Sequence, residues 1–103
     1  VEDMISSNAD IVGIYVAGGG MAGLVRPLRD EKAGDRIIAI CNELIPITRS
    51  ALIDGTIDMV LATPVATLSS HAVAAMAQSV VSGRYEGGIL VQLPAEIFVS
   101  ENI

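Results

Sequence analysis

Short apolar runs closed by turn residues alternate along the chain with segments whose apolar residues recur at helical spacing. Ile11 to Val16 (IVGIYV), Arg36 to Cys41 (RIIAIC) and Ile57 to Ala62 (IDMVLA) are runs of strand length. Their near-continuous apolar character predicts strands covered on both faces rather than half-solvated ones. Between them, Met21, Leu24, Val25 and Leu28 fall on one face of a helix over 21–31, which Gly34 ends. Pro27 inside that helix costs roughly 3 kcal/mol unless the helix kinks or starts late. Pro46 stands where the first position of the next helix belongs, and 47–54 runs to Gly55, a residue suited to a helix end.

A longer helix is predicted over 67–81 from Leu68, Ala72, Ala75, Met76 and Val80, after the stop at Thr63-Pro64. Ser82-Gly83-Arg84 and Gly87-Gly88 then lead to a tail where Ile97 and Val99 alternate with Glu96, Phe98 and Ser100, as in a strand. At the other end Val1, Met4 and Ile5 have helical spacing, with Ser6, Ser7 and Asn8 closing the segment. The chain starts without Met, inside an element, as a piece of a longer protein would. The order is α-βα-βα-βα-β. Helical crossovers of this length force parallel strands and right-handed connections. An α/β fold with a parallel sheet and flanking helices follows.

Composition narrows this picture. The chain has 103 residues, so it holds one domain at most; 51% are hydrophobic and 17% charged, enough apolar material for a core. Twelve acidic residues against six basic ones give a net charge of −6. Such a surface repels phosphate backbones, so this segment is not expected to grip nucleic acid itself. One cysteine, Cys41, excludes an internal disulfide and points to a reducing compartment. The acidic start Val1-Glu2-Asp3 is unlike the basic start of a signal peptide. The uncharged stretches 11–25 and 59–83 fall short of about 20 predominantly apolar residues in one element, and read as core rather than membrane.

In an open parallel sheet, ligands bind beyond the carboxyl ends of the strands. Here those ends are 15–21, 42–48 and 62–67. Gly18-x-Gly20-x-x-Gly23 fits a dinucleotide loop by letter, with Glu43 twenty residues beyond Gly23. A plain backbone turn with close helix–strand packing accounts for the glycines equally well. Asn42 and Glu43, just past the second strand, are placed to bind hydroxyl groups, with Thr48 and Arg49 in support. Arg49 serves as readily as a solvated charge. Thr63 offers a hydroxyl at the third strand end, where Pro64 is a structural stop. His71 has Ser69 and Ser70 before it, but neighbours on a helix point apart, and no G-x-S-x-G elbow is present. One His and one Cys hold no metal. Cys41 in its apolar strand reads as inert filling. No catalytic set, metal or cofactor is expected.

Taken together, IVGIYVAGGGMAGLVRPLRD, DRIIAICNELIPITRSALIDGTIDMVLATP and LPAEIFVSENI resemble the C-terminal part of the periplasmic-binding-protein-like domain, type I. The resemblance is strongest to lactose-repressor-type (LacI/GalR) transcription regulators that sense sugars. Within its T-R-x-x-L-x-D-G-x-I-D run, D-G-T-I-D from Asp54 to Asp58, with the strand after it, is the most specific segment, and the glycine turn is the least. The resemblance implies a small-molecule effector-binding domain, not an enzyme, in a cytoplasmic homodimer that touches DNA only through a helix-turn-helix upstream of Val1. It further implies two lobes around a cleft. Residues 1–64 would be part of the C-terminal lobe, and 65–103 the last helix and strand returning to the N-terminal lobe. Tyr15, Gly18, Gly19, Met21, Asn42, Glu43 and Thr63 would line the cleft. Met21, Leu24, Val25 and Leu28 would be shared between the core and a dimer contact.

The chain departs from the family at Gly18, Gly19, Ala62 and Thr63, where Asn, Asp or Gln are frequent. Either the ligand carries fewer hydroxyls than a pyranose, or the other lobe supplies most polar contacts. Two further readings remain: a solute-binding protein of a sugar transporter, and a small Rossmann-like nucleotide enzyme.

Overall fold

The computed structural model describes residues 2–8, 10–30, 36–83, 88 and 90–103. In chain order the elements are α1 (Glu2–Ser7), β1 (Gly13–Val16), α2 (Met21–Asp30), β2 (Ile38–Asn42), α3 (Pro46–Ile53), β3 (Met59–Ala62), α4 (Val65–Ser82) and β4 (Glu96–Phe98), then a 3₁₀ turn at Ser100–Asn102. The alternation expected from the sequence is present, with that last turn the one element added among the described residues. The expected stop at Gly34 and the turn at Arg84 and Gly87 lie outside the described residues.

The four strands form one sheet in the order β1-β2-β3-β4. β1 and β2 run parallel with Gly13 opposite Ile38 and Val16 opposite Cys41, and β2 and β3 run parallel with Cys41 opposite Val60. This register sorts the side chains by pleat. Ile14, Val16, Ala39, Cys41, Val60 and Ala62 face one side and belong to the core or pack against it. There they meet Leu24, Val25 and Leu28 of α2 and Ala51 and Leu52 of α3, all buried. The i, i+3, i+4, i+7 stripe on α2 is what makes this packing possible.

The expectation of strands covered on both faces is not met. On the opposite pleat Ile38 is 60% exposed and Tyr15 55% exposed, while Ile40, Met59 and Leu61 are half-buried. A run of apolar residues shows that both faces favour burial. It does not show that two layers are there to bury them.

Local chemistry fixes the ends of the elements. α3 opens with Pro46 in its first turn, where the missing N–H would have no helical partner anyway. It closes before Gly55, whose φ of +83° suits glycine. Pro27 lies well inside α2, so a late helix start is not how the chain accommodates it. Its missing N–H leaves the carbonyl of Gly23 to other partners, and Gly23 is exposed to water.

The chain divides into two compact units, residues 1–62 with 97–103, and residues 63–96. The first holds the whole buried core described above. In the second, α4 extends over eighteen residues without one buried side chain. The last strand was expected to leave with the helix before it. Instead β4 lies beside β3 in the sheet, and Ile97–Ile103 cluster with the first unit. The inward residue of β4 also differs from expectation: Phe98 packs against the core while Ile97 is exposed. No helix among the described residues is long and apolar enough to cross a membrane.

Candidate functional site

Because β1 and β2 are parallel and in register, the residues that follow them emerge at the same edge of the sheet. Tyr15 and Asn42 bridge this edge. The Tyr15 hydroxyl donates to Asn42 Oδ1 at 2.8 Å, and Asn42 Nδ2 donates to the carbonyl of Ala17 at 3.0 Å. Both groups of the Asn42 amide are therefore engaged within the protein. The side chain ties the start of the glycine turn to the end of β2, and the Tyr15 oxygen keeps its lone pairs for a further donor.

Glu43 follows directly. Its N–H donates to the Leu61 carbonyl at 2.9 Å, carrying the β2–β3 ladder one residue past the strand. Its own carbonyl accepts the Thr48 hydroxyl at 2.9 Å. Between these bonds the backbone has φ +72°, the one positive value outside glycine among the described residues. An L residue in such a conformation costs about 1–3 kcal/mol and persists only where its surroundings hold it, often at a functional site.

The glycine turn is open. Gly20 has φ +90°, so glycine is required there by conformation, and α2 begins at the next residue. Side chains added at Gly18, Gly19 or Gly23 would meet nothing within 4 Å. Close helix–strand packing is thus not why these glycines are present. The dinucleotide reading also weakens, since its third glycine serves to bring helix and strand together and Gly23 does not. Gly18 and Gly19 leave the space above the sheet edge free.

The other expected residues fall elsewhere. Met21 is only 7% exposed and belongs to the core, so its side chain offers no surface to a ligand. Leu24, Val25 and Leu28 are likewise fully buried within the unit, which removes the expected dimer contact from that stripe. Thr63 is exposed and is the first residue of the second unit. Tyr15, Gly18, Gly19, Asn42 and Glu43 do come together at one edge. Thr48, named in the sequence only as support, proves to be fully buried and bonded to the turn. The left-handed backbone at Glu43 had no sequence signal, because Glu does not favour it and Asn42, which tolerates it, ends the strand instead. An open groove of about 530 Å³ runs along α3 between Leu44, Arg49 and Asp54, and shares no residue with this edge. Polar groups converge on the strand ends at this edge, whereas the groove lies along α3.

The D-G-T-I-D segment works structurally. Asp54 accepts the Thr56 N–H at 2.9 Å and binds the Thr56 hydroxyl, and Arg29 Nη2 reaches its other oxygen at 2.6 Å. Partial burial pushes the Asp54 carboxyl up, but the bonds from Thr56 and the Arg29 guanidinium outweigh it and hold the carboxyl below its ordinary range. Asp58 accepts the Ala39 N–H and donates its own N–H to the Ala39 carbonyl, both at 2.9 Å, so it closes the start of the β2–β3 pairing. Cys41 is buried in β2, and burial pushes its thiol up, away from the reactive thiolate. His71 is exposed on α4.

This is a periplasmic-binding-protein-like α/β fold, a sheet flanked by helices with its polar groups at the carboxyl ends of parallel strands. It is similar to a glucose-galactose binding protein from Geobacillus stearothermophilus, with TM-score 0.82 and 16% identity over 97% of this chain and 35% of that one. It is also similar to a carbohydrate transporter solute binding protein from Agrobacterium radiobacter, solved with D-arabinose, with TM-score 0.79 and 22% identity over 97% of this chain and 34% of the other. The chain spans about a third of the length of either protein. No family model matches the sequence, and no curated protein is significantly similar to it.

Proposed function

We propose that this chain contributes one wall of a sugar-binding site, built on Tyr15, the Gly18-Gly19 turn, Asn42 and Glu43. The observation that carries the reading is their convergence at the strand ends, with Glu43 held in a conformation it would not adopt unaided. A carboxylate beside a tyrosine hydroxyl suits ligand hydroxyls, which both donate and accept. The sugar-binding names of the two similar structures support the ligand class. No catalysis is part of the reading; the residues bind and orient.

The T-R-x-x-L-x-D-G-x-I-D segment favours placing this site in a lactose-repressor-type regulator, cytoplasmic and dimeric, with DNA contacts made by an upstream helix-turn-helix. Sugar would then act only through its different affinity for two conformations of the regulator. A transporter's solute-binding protein is the second reading, favoured by the similarity to the Agrobacterium protein.

Calorimetric titration of the intact protein with D-glucose, D-galactose and D-arabinose tests the site. Glu43→Ala should weaken binding of whichever sugar binds by tenfold or more, the scale of about 1.4 kcal/mol, with little change in melting temperature. Unchanged affinity would remove Glu43 from the site. A sugar-dependent change in DNA affinity supports the regulator; sugar binding with no DNA binding in either state supports the transport protein.

A further inference from the structure

Thr48 has no surface to offer a ligand, yet it holds Glu43, whose carboxylate is proposed to meet one. The threonine is fully buried in the first turn of α3. Its hydroxyl accepts the N–H of Ile45 at 2.9 Å, which would otherwise be an orphan at the helix start. Its single proton faces two carbonyls, Glu43 at 2.9 Å and Ile45 at 3.1 Å. The Ile45 carbonyl already receives the N–H of Arg49 at 2.9 Å, so the Glu43 carbonyl has the stronger claim on the hydroxyl. At its other end Glu43 gives its N–H to Leu61 of β3. Glu43 is thus tethered on both sides, and the left-handed φ lies between the tethers.

From this we infer that Thr48 is the positioning residue of the sugar site, holding Glu43 left-handed and so setting the direction from which its carboxylate meets the ligand. The inference rests on the proposed role of Glu43. Backbone conformation sets the direction of the Cα–Cβ bond, so a relaxed Glu43 would carry its carboxylate elsewhere, and a hydrogen bond weakens steeply with misalignment. Only a hydroxyl serves at position 48. It accepts from Ile45 while donating to Glu43; valine has the same shape and does neither, whereas serine does both.

The test uses Thr48→Val and Thr48→Ser in the intact protein, with sugar titration and hydrogen exchange at the Ile45 amide. Thr48→Val should lose at least tenfold in sugar affinity and lose protection at Ile45, while Thr48→Ser should stay within about threefold and keep protection, given the factor of ten that 1.4 kcal/mol represents. Normal affinity in Thr48→Val despite lost protection overturns the inference. No sugar binding by the unsubstituted protein sinks the site reading instead, and the two failures are distinct.

A second measurement needs no ligand. Glycine takes a positive φ freely, so on a Glu43→Gly background Thr48→Val should lower the melting temperature clearly less than it does in the unsubstituted protein. Equal losses overturn the inference. Should Thr48→Val alone not fold, folding restored by Glu43→Gly supports the same conclusion, and no restoration overturns it.

Discussion

Helix α2 carries three charged residues among ten and buries five side chains, while α4 carries none among eighteen and buries none. Ranked by apolar content alone, the two would be placed the other way round. The difference is in partners. In α2 the apolar residues form one stripe, and a sheet face and α3 are there to receive it. In α4, Val65, Leu68, Val73, Met76 and Val80 also share one side of the helix, but its unit has no second helix or complete strand among the described residues to cover them. Apolar residues record what a segment would gain from burial; the gain is realised only against a second surface.

The largest test of this contrast compares one truncation in each helix. Leu24→Ala should destabilise the protein by about 2–5 kcal/mol in denaturant unfolding, the cost of emptying a fully buried site. Val73→Ala, at a position 70% exposed, should stay within about 0.5 kcal/mol. Similar losses at both would mean that α4 is covered in solution.

Polar groups of the first unit sharpen the comparison further, because they fix the frame on which α2 packs. Asp58→Ala should cost about 1–2 kcal/mol by stripping the acceptor from the buried strand residue Ala39, and Asp58→Asn, which keeps an oxygen there, should recover most of it. A melting temperature unchanged by Asp58→Ala would show that the ladder closes without it.

The smallest effect belongs to Arg29 of α2 and its partner Asp54. Their side chains are 38% and 45% exposed, so solvent screens the pair and its worth is under about 1 kcal/mol. The folded carboxyl titrates below the unfolded one, so the stabilisation is complete above the ordinary carboxylate range and is lost as the pH falls below about 4. Asp54→Asn should therefore flatten the stability profile on the acid side and leave the slope above pH 6 unchanged.

Much of this was legible in the order of residues. The periodicity of Met21, Leu24, Val25 and Leu28 marked a helix face, and the apolar runs ending at Val16, Cys41 and Ala62 marked parallel strands, because helical crossovers permit no other pairing. Parallel strands in turn place Tyr15, the glycine turn, Asn42 and Glu43 at one edge, so that grouping too followed from the chain. For Met21 the chain offered two readings, the apolar stripe and the cleft, since a residue that opens a helix beside a turn is as well placed for a ligand as for the core. Its burial chose the first.

Tertiary structure decided the rest. The outward face of the sheet reads as apolar in the sequence, but Ile38 and Tyr15 stand exposed, and only the assembled fold shows which pleat is covered. The return of β4 to β3, and the choice of Phe98 over Ile97 as its inward residue, depend on contacts between residues far apart in the chain. So does the backbone of Glu43. Its left-handed conformation runs against local preference, and it is set by a carbonyl of β3 on one side and a buried threonine hydroxyl on the other. Local sequence fixes what local energetics favour; a conformation they disfavour exists only where the assembled fold holds it in place.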